Sequence, residues 1–333
     1  MGKKTGVWVS MAVAAGLMLS GCGNKEGASG GESGSGGDSG KTYKIGVTQI
    51  VEHPSLDDAY KGFKEALKDK GIKAEFDVKN AQGDASTNTT IAATLVSQKP
   101  DLIFANSTPS AQAALSATKD IPIVFSSVTD PVGAELVASL EKPGGNVTGT
   151  IDSHPEAIPS TMKFIKDELG GKKVGMLYNA GEQNSVSQVE AVKKLMGEMG
   201  LEAVTASVST TADVKQAAEA LAGKIDAFYI VTDNTVISAI ESVVSVSNDK
   251  KIPLLTADLD SLKRGAFAAY GFQYHDIGYQ AGEMAADILK GKKAGEIAVE
   301  VPKNLKLMIN KKAAEAMGVK IKPEWDKNAE YTE

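Results

Sequence analysis

The chain is poor in the residues that most enzyme and metal chemistry needs. It has one cysteine, Cys22, so no internal disulfide can form and no cysteine-based metal site can be built. Its three histidines, His53, His154 and His275, show no metal-ligand spacing and no His-x-x-x-His pair. Asp276 follows His275 directly, an arrangement that suits a turn and cap better than a catalytic pair. There is no Gly-x-Ser-x-Gly elbow, no Walker loop and no Gly-x-Gly-x-x-Gly fingerprint; Gly30-Gly31 sits in a linker-like tract. These absences argue against an enzyme, and neither a cofactor nor a metal is expected. A basic excess is missing too. The 36 Lys and Arg are outnumbered by 42 Asp and Glu, for a net charge of -6, which argues against a nucleic-acid partner. Aromatic residues make up only 5% of the chain. After the first twenty residues no long apolar run occurs, so the body is not expected to enter a membrane.

The start of the chain reads differently. Lys3 and Lys4 precede an apolar run from Val7 to Leu19, and the small residues Ser20, Gly21 and Cys22 follow. That is the order of a secretory signal, with an apolar run too short to span a bilayer. Leu19-Ser20-Gly21-Cys22 resembles the lipobox of bacterial lipoproteins, in which the cysteine is diacylated and becomes the mature N-terminus. Residues 1–21 are therefore expected to be a lipoprotein signal peptide. Residues 22–40 would be the lipidated Cys22 and a flexible tether, built almost wholly from Gly, Ser, Glu, Asp and Asn. The body from Lys41 to Glu333 is long enough for two lobes of ordinary domain size.

Within that body, short β-rich runs alternate with helical ones. Lys44 to Gln49, Ala74 to Val78, Asp101 to Ala105 and Pro122 to Val128 are strand candidates. Between them lie helix candidates at Leu56 to Lys70, Thr87 to Gln98 and Ala111 to Lys119. The first helix carries Tyr60, Phe63 and Leu67 on one stripe and should end at Gly71. The alternation predicts a parallel, doubly wound α/β sheet. The pattern then restarts. Lys173-Val-Gly-Met matches Lys44-Ile-Gly-Val, and Gly200-Leu-Glu-Ala matches Gly71-Ile-Lys-Ala at the same offset, as a duplicated lobe would produce. Val186 to Met199 is the matching helix; Asp226 to Val231 and Pro253 to Ala257 supply later strands. Phe267 to Phe272, Ile277 to Leu289, Lys306 to Ile309 and Lys311 to Met317 read as strand, helix, strand and helix. They fit either a simple extension of the second lobe or a chain that crosses back to the first.

Ligands of open parallel sheets bind just beyond the carboxyl ends of the strands. Those edges carry Gln49, His53, Ser55, Thr108, Thr129 and Asp130 in the first half. Asn184, Ser185, Asp233, Asn234 and Thr235 occupy them in the second, and Asp152 lies where the chain leaves the first half. Helix capping explains many such residues, and Ser55 in particular reads as an N-cap. As a set they would place hydroxyls and carboxylates of both lobes around one cleft, with helix N-termini offering N–H groups to an anion. A zwitterion would suit that cleft: Thr108, Thr129 and nearby N–H groups for its carboxylate, and Asp130, Asp152 or Asp233 for its ammonium.

Several words in the chain are specific. His53-Pro-Ser-Leu-Asp57, Thr108-Pro109, Thr129-Asp-Pro-Val-Gly-Ala134, Lys142-Pro-Gly-Gly-Asn-Val-Thr-Gly149 and Asp233-Asn-Thr235 resemble the tryptophan/tyrosine-type ABC transporter substrate-binding protein family, from about Lys44 to about Met317. The resemblance implies a type I periplasmic-binding-protein fold, two Rossmann-like lobes joined by a three-segment hinge near Gly149–Ser153, Tyr270–Tyr274 and Val299–Asn304. It implies a first lobe of residues 41–150 plus 275–298 and a second of 151–270 plus 305–333. It also implies capture of an aromatic amino acid by hinge closure, with an ABC permease and its ATPase as partners. The segment from Tyr270 to His275 departs from close members, a difference that would alter side-chain selectivity if it lines the pocket. Expected with this are a monomer, the lipid on Cys22 as the membrane link, and a place on the outer face of the cytoplasmic membrane. Two other roles share the fold. A sensory receptor would need different gene neighbours, and a LacI-like repressor would need a basic helix-turn-helix that the N-terminus lacks. A branched amino acid, a purine nucleoside or a sugar remains an alternative solute, the sugar disfavoured by the scarcity of aromatics.

Overall fold

The computed structural model describes residues 41–333; the expected signal peptide, Cys22 and tether lie outside the described residues. The chain runs β1 (Thr42–Gln49), α1 (Pro54–Asp69), β2 (Lys73–Asn80), α2 (Ala85–Ser97), β3 (Leu102–Asn106), α3 (Thr108–Ala117), β4 (Ile123–Val128) and β5 (Val147–Ile151). These five strands form one parallel sheet in the order β2-β1-β3-β4-β5. There follow α4 (Ala157–Lys163), β6 (Lys173–Asn179), α5 (Gln183–Met199), β7 (Glu202–Val208), α6 (Val214–Ala222), β8 (Ala227–Ile230), α7 (Asn234–Ser238) and α8 (Ile240–Lys250). The last third is β9 (Leu254–Thr256), α9 (Asp260–Lys263), β10 (Ala268–Gly271), α10 (Tyr274–Leu289), β11 (Lys306–Asn310), α11 (Lys311–Ala316) and β12 (Ala329–Thr332).

The second sheet, β12-β11-β10-β9-β8-β6-β7, contains the first sheet's order again in β7-β6-β8-β9-β10. The repeat extends to single hydrogen bonds. Asp101 ahead of β3 accepts the Lys44 N–H at 2.8 Å, and Asp226 ahead of β8 accepts the Lys173 N–H at 2.9 Å. Strand β11 pairs antiparallel to β10, and β12 runs parallel to β11, so these two are additions to the repeated unit.

Both faces of the first sheet are covered, which is why β3 is buried at every position. Leu102 and Phe104 pack with Phe63 and Leu67 of α1 and Ala281 and Ala285 of α10. Ile103 and Ala105 point the other way, toward Ala111 and Ala114 of α3. A single large core fills the second lobe, with Val189, Val192 and Met196 of α5 against Met176, Phe228 and Ile230.

Three segments join the lobes: β5 to α4, β10 to α10, and α10 to β11. At the third of these, Glu300 bridges to Thr150, and its carbonyl accepts the Ile151 N–H at 3.0 Å. Helix α10 follows a second-lobe strand yet packs on α1, β4 and β5 of the first lobe. Glycines permit that contact. A Cβ on Gly278 would stand 1.8 Å from the Ala59 carbonyl oxygen, and one on Gly62 would stand 2.1 Å from the His275 carbonyl oxygen. The two helix backbones touch where any side chain would part them.

Helix ends follow local chemistry. Asp84 caps α2 by accepting the Thr87 N–H at 2.6 Å, and α5 stops at Gly200 in the left-handed conformation. The start of α1 differs from expectation. It begins at Pro54, with His53 in the N-cap position, so Ser55 lies inside the first turn and its hydroxyl is free for another partner.

Candidate functional site

The facing edges of the two lobes close on a narrow cavity of about 20 Å³. One wall is made by His53, Ser55 and Leu56 at the start of α1, Ser127 near the end of β4, Asp152 just after β5, and Tyr274, the first residue of α10. The other is made by Asn184 on α5, Thr232, Asp233 and Asn234 at the β8–α7 turn, Ile237 on α7, and Asp258 after β9. These are carboxyl ends of strands and the helix starts that follow them, where a doubly wound sheet leaves room for a ligand.

Three of the lining residues are aspartates and none is lysine or arginine. Asp152 is buried; its Oδ1 accepts from the Thr129 hydroxyl at 2.8 Å and its Oδ2 from the Tyr274 hydroxyl at 3.0 Å. Burial nonetheless pushes its pKa up to about 6, with the Asp258 charge adding to the shift and the two hydroxyls opposing it. Burial also raises Asp258, which accepts from the Ser261 N–H and hydroxyl at 2.8 Å each. Asp233 is raised by burial and by the neighbouring Glu182 carboxylate. Its oxygens are already used: Oδ1 caps α7 at the Val236 N–H, 2.7 Å, and Oδ2 takes the Asn179 N–H at 2.6 Å. Both partners of Asp233 are backbone N–H groups of its own wall, so it holds that wall together, whereas Asp152 is held by two hydroxyls and Asp258 by two hydroxyls and one N–H, partners that can turn aside for a ligand. His53 is the reverse case. Burial, and then the Arg264 charge, lower its pKa to about 3, so the imidazole is neutral at ordinary pH.

The lobes touch across this cleft. Ser55 donates to Asp258 at 3.2 Å, Ser187 donates to Asp130 at 3.2 Å, and Gln188 donates to Thr129 at 3.1 Å. The Thr129 and Thr232 hydroxyls lie 3.1 Å apart, and Gln188 also donates to Thr232. All of these but the Gln188–Thr232 bond, which lies within the second lobe, link one lobe to the other, so the cleft stands closed.

Six of the sequence-predicted residues line the void: His53, Ser55, Asp152, Asn184, Asp233 and Asn234. The other six do not, and all but Thr108 bond elsewhere. Gln49 bonds Asp57 at 2.8 Å and Asn106 at 3.0 Å, tying β1 to α1 and β3. Thr108 is buried at the first position of α3 with its hydroxyl unpaired. Thr129 supports Asp152 from behind, and Asp130 accepts the Gly133 N–H at 2.8 Å in its own turn. Ser185 is buried beside Asn184, 3.3 Å from its amide. Thr235 donates to Glu182 at 2.9 Å. Glu182 itself was not foreseen; it accepts the Asn234 and Thr235 N–H groups and so caps α7 from another helix. Leu56, Ser127, Thr232, Ile237, Asp258 and Tyr274 complete the lining. Ser127 and Asp258 sit on strand edges that sequence reading could reach; Leu56, Ile237 and Tyr274 look like core residues until the lobes are assembled. Among the described residues no group of His, Cys, Asp and Glu is placed to hold a metal ion, and no helix is long and apolar enough to cross a membrane.

Comparison with known proteins agrees with this geometry. The profile of the "ABC transporter substrate binding protein" family matches residues 44–332. A tyrosine-binding protein of Clostridioides difficile is 44% identical over 305 residues, covering 90% of this chain and 88% of that one. A Streptococcus pneumoniae ABC domain solved in complex with L-Trp is 36% identical, covers 87% of this chain and 99% of that one, and superposes with a TM-score of 0.82. The ligand-free, open structure of a substrate binding protein with adhesive properties from Clostridium difficile is 40% identical over 87% of this chain and 99% of that one. It superposes with a TM-score of only 0.65. The more identical sequence thus gives the poorer superposition, as a rotation of one lobe against the other produces.

Proposed function

The chain belongs to the ABC transporter substrate-binding protein family, and from that premise we propose that it captures an aromatic amino acid outside the cytoplasmic membrane and delivers it to an importer. The observation that carries this reading is the lining of the cleft, which has three aspartates and no cationic side chain on its walls. A ligand bearing a positive group relieves that imbalance; a sugar does not. Asp152 and Asp258 would receive the ammonium. The Ser127 and Thr232 hydroxyls and the first-turn N–H groups of α1 would receive the carboxylate. Leu56, Ile237 and Tyr274 would hold the ring. Support for an aromatic side chain comes from the tyrosine-binding relative and the relative solved with L-Trp.

Binding would work by hinge closure. Ligand held by one lobe gains contacts to the other only when the cleft shuts, and that difference shifts the population. The closed form, with Ser55 on Asp258 and Gln188 on Thr129, is then the form an ABC permease and its ATPase would recognise. In this reading the protein acts as a monomer, and the lipid on Cys22 and the tether 22–40 hold it at the membrane. Calorimetric titration of the body from Lys41, refolded to strip carried ligand, tests the reading against the twenty amino acids, ribose and adenosine. Heat from tyrosine, tryptophan or phenylalanine alone supports it; heat from ribose or adenosine alone overturns the ligand assignment.

A further inference from the structure

The three segments that join the lobes are tied together at consecutive residues of the first. The Thr150 hydroxyl donates to the Ile277 carbonyl at 3.0 Å, which holds the start of α10. The Ile151 N–H donates to the Glu300 carbonyl at 3.0 Å, which holds the third segment. Asp152 completes the set, its Oδ2 accepting from the Tyr274 hydroxyl at 3.0 Å. Of these ties only the last lies on the wall of the cleft, since Asp152 and Tyr274 both line it. The carboxylate offered to a ligand is thus fixed by a side chain from another of the joining segments.

Tyr274 is well held for that task. It is 3% exposed, its ring stacks on Phe272 with centroids 5.7 Å apart and planes at 23°, and Ala59 and Ile277 close the cluster. A ring packed this way has little freedom to turn. Among the described residues its hydroxyl has one hydrogen-bond partner, Asp152. Burial, and then the Asp152 and Asp258 carboxylates, hold the phenol well above its ordinary pKa, so it keeps its proton and stays a donor to Asp152. Thr129, the other donor to Asp152, is less committed. Its hydroxyl lies 3.1 Å from the Thr232 oxygen as well as 2.8 Å from Asp152, and it has one proton to give. A hydroxyl that donates to a carboxylate favours the charged form over the protonated one. Removing it makes the proton easier to add.

We propose that Tyr274 is a positioning residue for the ligand's ammonium: from the start of α10 its hydroxyl aims the Asp152 carboxylate and keeps it ionised for a cation. This rests on the reading of the cleft as an amino-acid site and adds to it the residue that maintains its charge. The other titratable groups around this pair are Asp233, Asp258 and the neutral His53 on the walls, with Asp260 beyond them on α9. Burial raises Asp258 as well, so its share of any pH dependence has to be separated from that of Asp152.

The test is calorimetric titration of the full chain in detergent at pH 5.5 and pH 8.5, with whichever of tyrosine, tryptophan and phenylalanine the natural protein binds most tightly. The natural protein, Tyr274→Phe, Asp152→Asn and the double variant are compared. Phe keeps the ring and its stack on Phe272, and a melting curve for each protein verifies its fold. One ligand for all four cancels the titration of the ligand itself. Loss of one donor should move the uptake of a proton by Asp152 about one pH unit higher. Tyr274→Phe should therefore bind about tenfold more weakly than the natural protein at pH 5.5, the gap shrinking to about threefold or less at pH 8.5. In the Asp152→Asn background the same change should cost one small factor, about threefold at most, at both pH values. A loss in Tyr274→Phe that is equal at the two pH values overturns the inference and leaves Tyr274 as packing alone. So does a pH-dependent loss that persists in the Asp152→Asn background, which would place the effect on Asp258. Failure of all three amino acids to bind the natural protein would instead remove the reading of the cleft on which the inference stands.

Discussion

Replacing Asp152 by Asn should make the ligand-free protein more stable at neutral pH and a worse receptor. The carboxyl is buried against Thr129 and Tyr274, and burial raises its pKa to about 6 in the fold from the ordinary carboxylate value of 3.8. The fold therefore holds a proton that the unfolded chain has lost, over a window from about pH 4 to about pH 6. Folded-state pKa above unfolded pKa means stability is highest below the window and falls as pH rises through it. That rise corresponds to about 3 kcal/mol lost across the window, at about 1.4 kcal/mol for each pH unit. Asn carries no charge to desolvate and has no such step. Urea unfolding of both proteins at pH 4 and pH 7.5 should show the variant gaining about 3 kcal/mol on the natural protein between the two pH values. Affinity should move the other way. An ammonium on an ionised Asp152 is a charge-assisted hydrogen bond, and its loss should weaken binding by about ten- to a hundredfold. For the natural protein, affinity should fall by up to about tenfold per pH unit below pH 6, as Asp152 takes up its proton before ligand can pair with it. Parallel stability profiles for the two proteins, or unchanged affinity in the variant, would refute the argument that this carboxylate is held ready for a cation.

Asp233 should behave differently although its pKa is also raised. Asp233→Ala strips the acceptors from the Asn179 and Val236 N–H groups and should cost about 2 kcal/mol in urea unfolding at pH 7.5. Gly278→Ala puts a methyl group where the Ala59 carbonyl stands 1.8 Å away, so α1 and α10 must part; thermal unfolding should show a loss of about 3 kcal/mol or more. Gln188→Ala removes the α5 bond to Thr129 across the lobes, along with one to Thr232 inside the second lobe, at a residue that does not itself line the cleft. It should raise the radius of gyration of the ligand-free protein in solution scattering and weaken ligand binding by about three- to tenfold, with little change in melting temperature.

What could be read from the chain was whatever its local words determine. Lys44 and Lys173 lie in the first strands of two sheets with one strand order, and Gly71 and Gly200 both stand in the left-handed conformation after a helix. Short periodic runs with glycine stops carry that information within a dozen residues. Strand β5 was harder: Val147-Thr-Gly-Thr-Ile looks like a loop because of Gly149, and it is the buried neighbour of β4 that makes it a strand. Helices α4, α6 and α8 escaped for the related reason that their apolar faces are defined by a core assembled from distant segments.

The site divides along the same line. His53, Asp152, Asn184, Asp233 and Asn234 could be picked out because they follow strands, where the fold class alone says a ligand binds. Whether such a residue faces the cleft or braces it depends on partners far away in the chain. Thr129 and Asp152 are both polar residues just past a strand, yet the first bonds the second and only the second lines the void. Ser55 reads from the sequence both as a cleft residue and as an N-cap; it lines the cleft, and its hydroxyl partner there, Asp258, lies in the other lobe, where local sequence gives no hint of it. Tyr274 reaches Asp152 across 122 positions, over the hinge crossing that brings α10 back to the first lobe. The residues hardest to see in the sequence are thus the ones that depend on closure, and a receptor that works by closing must keep part of its recognition in such contacts.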